Sequence, residues 1–259
     1  MVDYQIYKPS EDEIETLKKF SLLASNSELK SDPMYIESDR ITVVSGQMKM
    51  GKLNAMSSCA CVKLATPHSF DKKFGIGSIS EFLNIIDMLK NYEIRIYDKF
   101  LHIIDKDKNF KIQMILTPEE ENLIPYTDVI GKVERGLMIK ECLKFRVDWD
   151  TLSSLVKIQK KLKKNYLFFS ENEAGNVVLK CANEYENKGE NSVEIELVSN
   201  VMEKNLQVTK NGNYVTFELN IDTLIKDTYE ISVFEKITIF SGLDKKHQYI
   251  FFNTVPKIK

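Results

Sequence analysis

The chain has 259 residues, and its 36 Lys and Arg stand against 38 Asp and Glu, which gives a formal net charge of −2. This length is enough for one large domain or for two domains of about 130 residues, and an apolar content of 43% supports well-filled cores. The near-neutral net charge excludes a uniformly basic protein that binds DNA tightly through its overall charge, because such affinity grows with the number of phosphates neutralised.

The ends of the chain and its apolar runs bear on where the protein acts. No apolar run approaches the ~20 residues that a transmembrane helix needs. The N-terminal sequence MVDYQIYKPSEDE is acidic, whereas a secretory signal is basic and then apolar. The sequence therefore predicts a soluble cytoplasmic protein with no membrane partner.

The first half of the chain opens with a helix signal. Ser10 and Glu13 have the spacing of a capping box, and Ile14, Leu17 and Phe20 form an apolar stripe behind them. Strands are predicted at 34–37, 41–44, 56–64, 93–97, 100–104 and 110–116, with a second helix at 80–90.

The segment 117–140 separates this half from the next. It contains Pro118, Pro125, Gly131 and Gly136 together with an acidic cluster at 119–121. Proline and glycine at this density are typical of loops. The segment therefore predicts an extended connector at 118–140, between an N-terminal domain at 1–117 and a C-terminal domain at 141–259.

The second half repeats the order of helix, strands, helix and strands. It is predicted to contain strands at 143–147, 166–170, 177–181, 193–198 and 214–219 and near 231–240 and 248–254, with helices at 150–165 and 221–226. The repeated order indicates two similar domains.

The helix at 150–165 separates charge from apolar surface. At 100° per residue one arc carries Lys157, Lys160, Lys161, Lys164, Ser153 and Ser154, and the opposite arc carries Leu152, Leu155, Val156 and Leu162. No Asp or Glu at i,i+4 neutralises the lysines, so this face suits a polyanion such as a phosphate backbone. A simply solvated lysine face is the alternative. Lys18 and Lys19 lie beside the apolar stripe of the first helix.

Patterns for metal binding and catalysis are absent from the sequence. The four cysteines contain no Cys-x-x-Cys pair, and the three histidines stand singly. Asp148 and Asp150 flank a helix start, where capping explains them. The sequence therefore predicts no metal site, no disulfide framework, no cofactor and no enzyme activity.

A phosphate-binding loop is a competing interpretation of one segment. Gly46, Gly51 and Lys52 fit G-x-x-x-x-G-K after a strand, and the apolar strand ending at Asp105 resembles a magnesium-binding element. However, Leu53 stands where a Ser or Thr should bind magnesium, and the next residues alternate like a strand instead of opening a helix. Glycines in hairpin turns explain the pattern better.

Several segments of the chain follow the sequence patterns of one protein family. The runs FGIGSISEFLNIIDML and NYEIRIYDKFLHIIDKDKNFKIQMIL resemble that family's second helix and the strands after it, and YIFFNTV resembles its closing strand. FELNIDTLIKDTYEISVFEKITIF is similar to an F-x-x-N motif and the strands that follow it. The family pattern D-x-L-x-x-L-[LV]-[RK]-[VI]-x-[RK] is kept at Asp150, Leu152, Leu155, Val156, Lys157, Ile158 and Lys160. Together these segments resemble the sliding clamps of T-even bacteriophages. This chain departs from that family in a more acidic first helix and a longer connector.

The resemblance implies an α+β DNA-clamp fold with two similar domains per chain. Three chains would close head to tail into a homotrimeric ring around duplex DNA, with helices lining the hole and antiparallel sheets outside. Lys157, Lys160 and Lys18 match lining cations of the family, whereas Lys19, Lys161 and Lys164 are assigned from helix geometry. The implied partners are duplex DNA, a DNA polymerase and an ATP-dependent clamp loader, with transcription factors in addition. The site of action would be the host cytoplasm if the chain is viral.

The resemblance also implies two kinds of protein contact. Ring closure would pair edge strands placed at 110–116 and 193–198, although both could be internal strands. A partner peptide would dock in an apolar pocket formed by Leu123, Ile124, Pro125 and Tyr126, although an apolar cluster of this kind more often packs inward. A nucleic-acid-binding or assembly protein that forms no closed ring remains the alternative outside the clamp family.

Overall fold

The described part of the chain divides into two compact units. The computed structural model describes residues 4–25, 34–37, 39–45, 48–49, 52–53, 58–63, 74–116, 126–138, 141, 143–163, 166–171, 174, 176–182, 193–196, 201–204 and 224–252. Unit 1 comprises Met1–Leu53 and Cys59–Ile130, and unit 2 comprises Asn54–Ser58 and Gly131–Lys259.

Unit 1 combines antiparallel strands with two helices. Its elements are β1 (Gln5–Tyr7), α1 (Glu11–Ser25), β2 (Met34–Ile36), β3 (Arg40–Ser45), β4 (Met48–Lys49), β5 (Lys52–Leu53), β6 (Ser58–Lys63), β7 (Phe74–Ile76), α2 (Ile79–Asp87), β8 (Tyr92–Ile96), β9 (Phe100–Asp105) and β10 (Lys111–Ile115). One sheet has the order β1-β8-β9-β10, a second set has the order β6-β3-β2-β7, and β4 pairs with β5.

The predicted capping box fixes the start of α1. The backbone N of Ser10 donates to Glu13 Oε2 at 2.6 Å, and the backbone N of Glu13 donates to Ser10 Oγ at 3.2 Å. Two of the amide groups that a helix start leaves without partners are satisfied in this way. Leu17 and Phe20 are fully buried where α1 packs on α2 and β3. The predicted stripe therefore faces the core of unit 1.

Unit 2 also combines antiparallel strands with helices. They are α3 (Tyr126–Leu137), which begins in unit 1, then β11 (Leu143–Val147), α4 (Trp149–Lys161), β12 (Tyr166–Glu171), β13 (Val177–Ala182), β14 (Val193–Glu196), β15 (Val201–Lys204), β16 (Tyr229–Val233), β17 (Ile237–Gly242) and β18 (His247–Phe252). In one sheet the neighbouring strands have the order β15-β11-β16-β17-β18, and a separate sheet has the order β12-β13-β14. Helix α4 packs on β13 and β14.

The topology of the two units repeats. In unit 1 a strand leads into α1, and the chain later returns as β8 to pair antiparallel with that first strand, β1. In unit 2 β11 leads into α4, and β16 returns to pair antiparallel with β11. Each returning strand continues into a meander, β8-β9-β10 or β16-β17-β18. The strand pairing of the two units therefore repeats, whereas the second helix expected in the second half is not helical at 224–226.

The extended connector is a wrong prediction for part of its length, because 126–137 form helix α3. Its two glycines suggested a loop. A Cβ on Gly136 would lie 2.8 Å from the Ile237 side chain, so glycine allows this turn of α3 to approach β17 closely. Val133 is buried on the same helix, whereas Met138 just beyond its end is 84% exposed.

Other predictions differ from the structure in smaller ways. Residues 224–226, predicted as the end of a helix, are not helical, and the predicted strand at 214–219 lies outside the described residues. The sequence patterns do not predict five of the strands, which are β1, β4, β5, β7 and β15. Four of these have only two or three residues, too few to show a strong alternation, and β15 has four. None of the helices in the described part of the chain is long and apolar enough to span a bilayer.

Candidate nucleic-acid interface

Helix α4 begins at a well-formed N-cap. Asp148 has extended backbone, and one carboxylate oxygen accepts from the backbone N of Thr151 at 2.8 Å while the other accepts from Thr151 Oγ1 at 3.0 Å. The backbone hydrogen bond is the main reason that the pKa of Asp148 lies below its usual range. The capping role expected for this residue is confirmed.

This cap leads to a prediction about stability. Asp148→Ala should lower the free energy of unfolding by about 1 kcal/mol, because it removes the acceptor for the Thr151 amide. Since the folded-state pKa of Asp148 is depressed, its contribution is fully present above the unfolded pKa and is lost as the pH falls through the folded value. Urea unfolding of both proteins at pH 7 and at pH 2.5 should show a difference that shrinks at the lower pH; an equal difference at both pH values would contradict this account.

Helix α4 has one buried apolar face and one exposed lysine face, as predicted for most positions. Leu152, Leu155 and Val156 are at most 2% exposed and pack toward the sheet. Lys157, Lys160 and Lys161 are exposed on the opposite arc. Lys157 and Lys161 make no ion pair with any residue of the described part of the chain. The exposed arc therefore presents cationic ammonium groups toward solvent.

The prediction for Ser153 is wrong. It was assigned to the lysine arc, but it is only 7% exposed, and its Oγ donates to the backbone O of Asp150 at 3.2 Å. A serine that bonds back into its own helix needs no external partner. Ser154 is exposed and stays on the lysine side. Gln159 is buried on the packed side.

One exposed lysine directly after α4 is not predicted by the helical pattern. Lys163 is exposed and has a φ of 51°, and its backbone N donates to the O of Lys160 at 3.1 Å. An ideal helical projection places it on the buried arc. The left-handed turn after Leu162 ends the helix instead, so the projection no longer applies to this residue. Lys164, which was predicted to face DNA, lies outside the described residues.

Helix α1 is electrostatically different from α4. The ammonium of Lys18 lies 2.9 Å from Glu15 Oε1 and 3.1 Å from Asp87 Oδ1, and these two hydrogen bonds, led by that from Glu15, raise its pKa. Lys19 is exposed, but so are Glu11 and Asp12. On α1 the positive charge of Lys18 is therefore neutralised, and acidic side chains are exposed on the same helix. Among the described lysines that were predicted to face DNA, Lys18 is the least available to a phosphate.

Both strands predicted to mediate assembly lie at sheet edges. Among the described residues, β10 pairs only with β9, and β14 pairs only with β13. Ile115 on β10 is 75% exposed and Lys111 on the same side of the strand is exposed, whereas β14 exposes Glu194 and Glu196. Strand β10 thus exposes an apolar residue and a cation at its edge, and β14 exposes two anions. Unpaired edges with complementary charges of this kind are typical of strand pairing between chains.

The remaining predicted sites are only partly described. Leu123, Ile124 and Pro125 lie outside the described residues, and Tyr126 is the first residue of α3. Gly46 and Gly51 lie outside the described residues, but Lys52 lies on strand β5, where it pairs with Lys49 of β4, and the next element described is strand β6. A phosphate-binding loop must open a helix at this point, so the competing interpretation is excluded.

Comparisons with known proteins place this architecture. The chain is similar over 99% of its length to the DNA polymerase III subunit beta sliding clamp of Bartonella birtlesii, with a TM-score of 0.63, 10% identity and 66% of that chain covered. For DNA polymerase III subunit beta of Pseudomonas aeruginosa the TM-score is 0.62, with 9% identity, 95% of this chain and 63% of that chain covered. The Helicobacter pylori beta clamp bound to a DNA ligase peptide gives 0.59, 12% identity, and coverage of 96% and 66%.

These similarities establish the fold. The chain has the α+β fold of DNA sliding clamps, as the sequence resemblance implied, but the neighbours are bacterial and do not point to the T-even phage type. The chain spans about two thirds of the length of these structures, with 65% covered in another Helicobacter pylori beta clamp. No family model matches the sequence, and no curated protein matches it.

Proposed function

We propose that this protein is a DNA sliding clamp that encircles duplex DNA and holds a DNA polymerase on its template. The observation that carries the proposal is the exposed lysine face of α4, in which Lys157, Lys160 and Lys161 project from a helix of a clamp fold. Such a face contacts phosphates without reading bases, so the duplex would be retained by enclosure and could slide. In this role the protein is not an enzyme.

Three chains would form the ring. A ring of six similar units requires three chains when each chain supplies two units. The exposed edge of β10 in one chain would pair with β14 of the next chain, which brings Lys111 close to Glu194 and Glu196. The predicted domain boundaries at 117 and 141 belong to this proposal, as does an ATP-dependent loader that opens the ring.

A partner peptide fits the same proposal. The beta clamp of Helicobacter pylori has been observed with a DNA ligase peptide. By similarity, terminal peptides of DNA-processing enzymes, the polymerase among them, would bind this chain, and 123–126 remain the proposed pocket.

Enclosure can be tested without a loader. Linear duplex DNA with biotin at both ends is incubated with the protein at low salt, streptavidin is then added, and the DNA is washed at high salt. A sliding clamp should stay on DNA blocked at both ends and should leave DNA with one free end. Equal loss from both substrates would overturn the proposal in favour of an open nucleic-acid-binding protein, and no binding at low salt would overturn both.

The proposed interface gives a second prediction. The wild-type mass by light scattering should approach 90 kDa, three times the 30.0 kDa of one chain. Ile115→Asp should shift it toward 30 kDa at the same concentration, because it places a charge on the pairing edge of β10. Ile6→Asp is the matched control, since Ile6 is 53% exposed on β1, the opposite edge strand of the same sheet.

The control should leave the mass unchanged. A wild-type protein that is monomeric over the whole dilution series would contradict the ring of three chains. A mass near 60 kDa would point to a dimer of a different architecture.

A further inference from the structure

Three side chains with metal-binding donors meet in unit 2. Asp227 precedes β16, Asp244 lies in the turn between β17 and β18, and His247 begins β18. One donor atom from each lies within 4.8 Å of the other two. His247 Nε2 is 3.5 Å from Asp227 Oδ2, and His247 Nδ1 is 4.0 Å from Asp244 Oδ1. This cluster cannot be recognised in the sequence, because the three residues follow no metal-ligand spacing.

The imidazole of His247 is buried and incompletely satisfied. The residue is 7% exposed, and Nε2 has no hydrogen-bond partner among the described residues. Buried polar atoms of this kind nearly always have a partner, so an orphaned nitrogen that points at a carboxylate indicates a ligand between them. Burial lowers the pKa of His247 against the opposing effect of the two carboxylates.

The loop that carries Asp227 is fixed by hydrogen bonds to two buried tyrosines. The hydroxyl of Tyr229 donates to the backbone O of Ile225, and the backbone N of Ile225 donates to the hydroxyl of Tyr249 at 3.0 Å. Asp227 Oδ1 accepts from the backbone N of Thr228 at 2.7 Å. These bonds leave Asp227 Oδ2 turned toward His247, so two donors are positioned before any ligand arrives.

Gly242 preserves the space beside the two donors. A Cβ at this position would lie 2.5 Å from His247 Cε1, 2.6 Å from Asp227 Oδ2 and 2.7 Å from His247 Nε2. Any other residue would displace the imidazole or the carboxylate. Glycine at the end of β17 is therefore required for His247 and Asp227 to approach each other.

We propose that Asp227, Asp244 and His247 bind a divalent transition-metal ion of the zinc class. One imidazole nitrogen and two carboxylate oxygens form a donor set that zinc accepts, and metal–donor bonds of about 2.0–2.2 Å put tetrahedral donors about 3.4 Å apart. The 3.5 Å between His247 and Asp227 already fits this spacing.

Asp244 approaches His247 at Nδ1 and not at Nε2, so it has to move toward the Nε2 side to bind the same ion as Asp227. It is about half exposed and lies in a turn, and it faces the Lys246 ammonium at 3.8 Å from Oδ2, while Oδ1 accepts from the backbone N of Lys246 at 2.9 Å. Metal binding must replace the weak, exposed Lys246 contact. The ion would fasten the 224–228 loop to the β17–β18 turn, independently of any contact with DNA.

The test is zinc binding by the full-length protein after dialysis against a chelator. Isothermal titration with zinc chloride should show one site per chain, and Co²⁺ should give the visible absorption of a tetrahedral site. Asp244→Asn should weaken binding by more than the roughly 10- to 100-fold caused by loss of an outer-sphere partner. This exposed side chain can be changed without disturbing the core, so failure to fold is not expected.

His102 provides the matched control. It is also buried, at 8% exposure, but its Nε2 is hydrogen-bonded to Gln113 Oε1 at 3.1 Å, and it belongs to no metal-binding cluster in the described residues. His102→Gln should bind zinc like the wild type, and zinc should raise the melting temperature of both proteins but not that of Asp244→Asn. Absence of a saturable site in the wild type, or equal affinity in Asp244→Asn, would overturn the proposal.

Discussion

Replacement of Lys157 and Lys161 by alanine is expected to lower the slope of log affinity against log salt concentration by about 2 for a short duplex. Each lysine that contacts a phosphate releases a condensed counterion and contributes about 0.9 to this slope. Both ammonium groups are exposed on α4 and are free of ion pairs with the described residues, so neither has to leave a protein partner to reach DNA. Fluorescence anisotropy from low to moderate salt measures the slope.

Lys108 and Lys236 supply the matched control. Both are exposed lysines, and they lie in turns of the β9–β10 and β16–β17 connections. Their joint replacement by alanine makes the same change in net charge but should leave the salt slope unchanged. If both double variants lose affinity equally, net charge and not the α4 face determines binding, and the proposed orientation of α4 toward DNA is wrong. The mass of each variant should match the wild type.

Phe145→Ala is expected to cost about 3–5 kcal/mol of the free energy of unfolding of unit 2. Phe145 is 0% exposed and lies on β11, the strand that pairs with both β15 and β16. Domains are stable by only about 5–15 kcal/mol, so this change removes a large fraction of the total. Differential scanning calorimetry should show one transition at markedly lower temperature, while a transition that belongs to unit 1 moves less.

Met138→Ala is the control in the same unit. Met138 is 84% exposed at the end of α3, so its truncation should change stability by no more than about 0.5 kcal/mol. Equal losses from Phe145→Ala and Met138→Ala would mean that β11 is not central to the core. A single transition that shifts as a whole would show that the two units unfold together.

The parts of the fold that were predicted correctly depend on local signals. Helix α1 is specified by the reciprocal Ser10 and Glu13 cap, and α4 by Asp148 and an apolar stripe, all of which lie within a few residues of each other. Helix α3 was missed because Gly136 is a poor helix former in isolation. Its compatibility with a helix comes from the close approach to Ile237, about a hundred residues away in sequence.

The candidate site shows the same division. The exposure of Lys157 follows from the helical period alone. Lys18 pairs with Glu15, whose i,i+3 spacing can be read from the sequence, and also with Asp87 on α2, which nothing in the sequence near Lys18 reveals. The approach of Asp227 to His247 likewise requires the folded β16–β18 meander. Charge on one helix face was therefore predictable, whereas pairing between elements was not.

The contrast between α1 and α4 affects how a duplex would experience the proposed ring. Three chains joined head to tail would alternate the two units around the opening, so that lysine-faced and acid-rich helices follow one another. The electrostatic potential would then have threefold rather than sixfold periodicity, with three attractive stripes separated by weakly repulsive ones. The phosphate helix would pass from one attractive stripe to the next as it turns, which favours rotation-coupled travel along the groove over a fixed angular position.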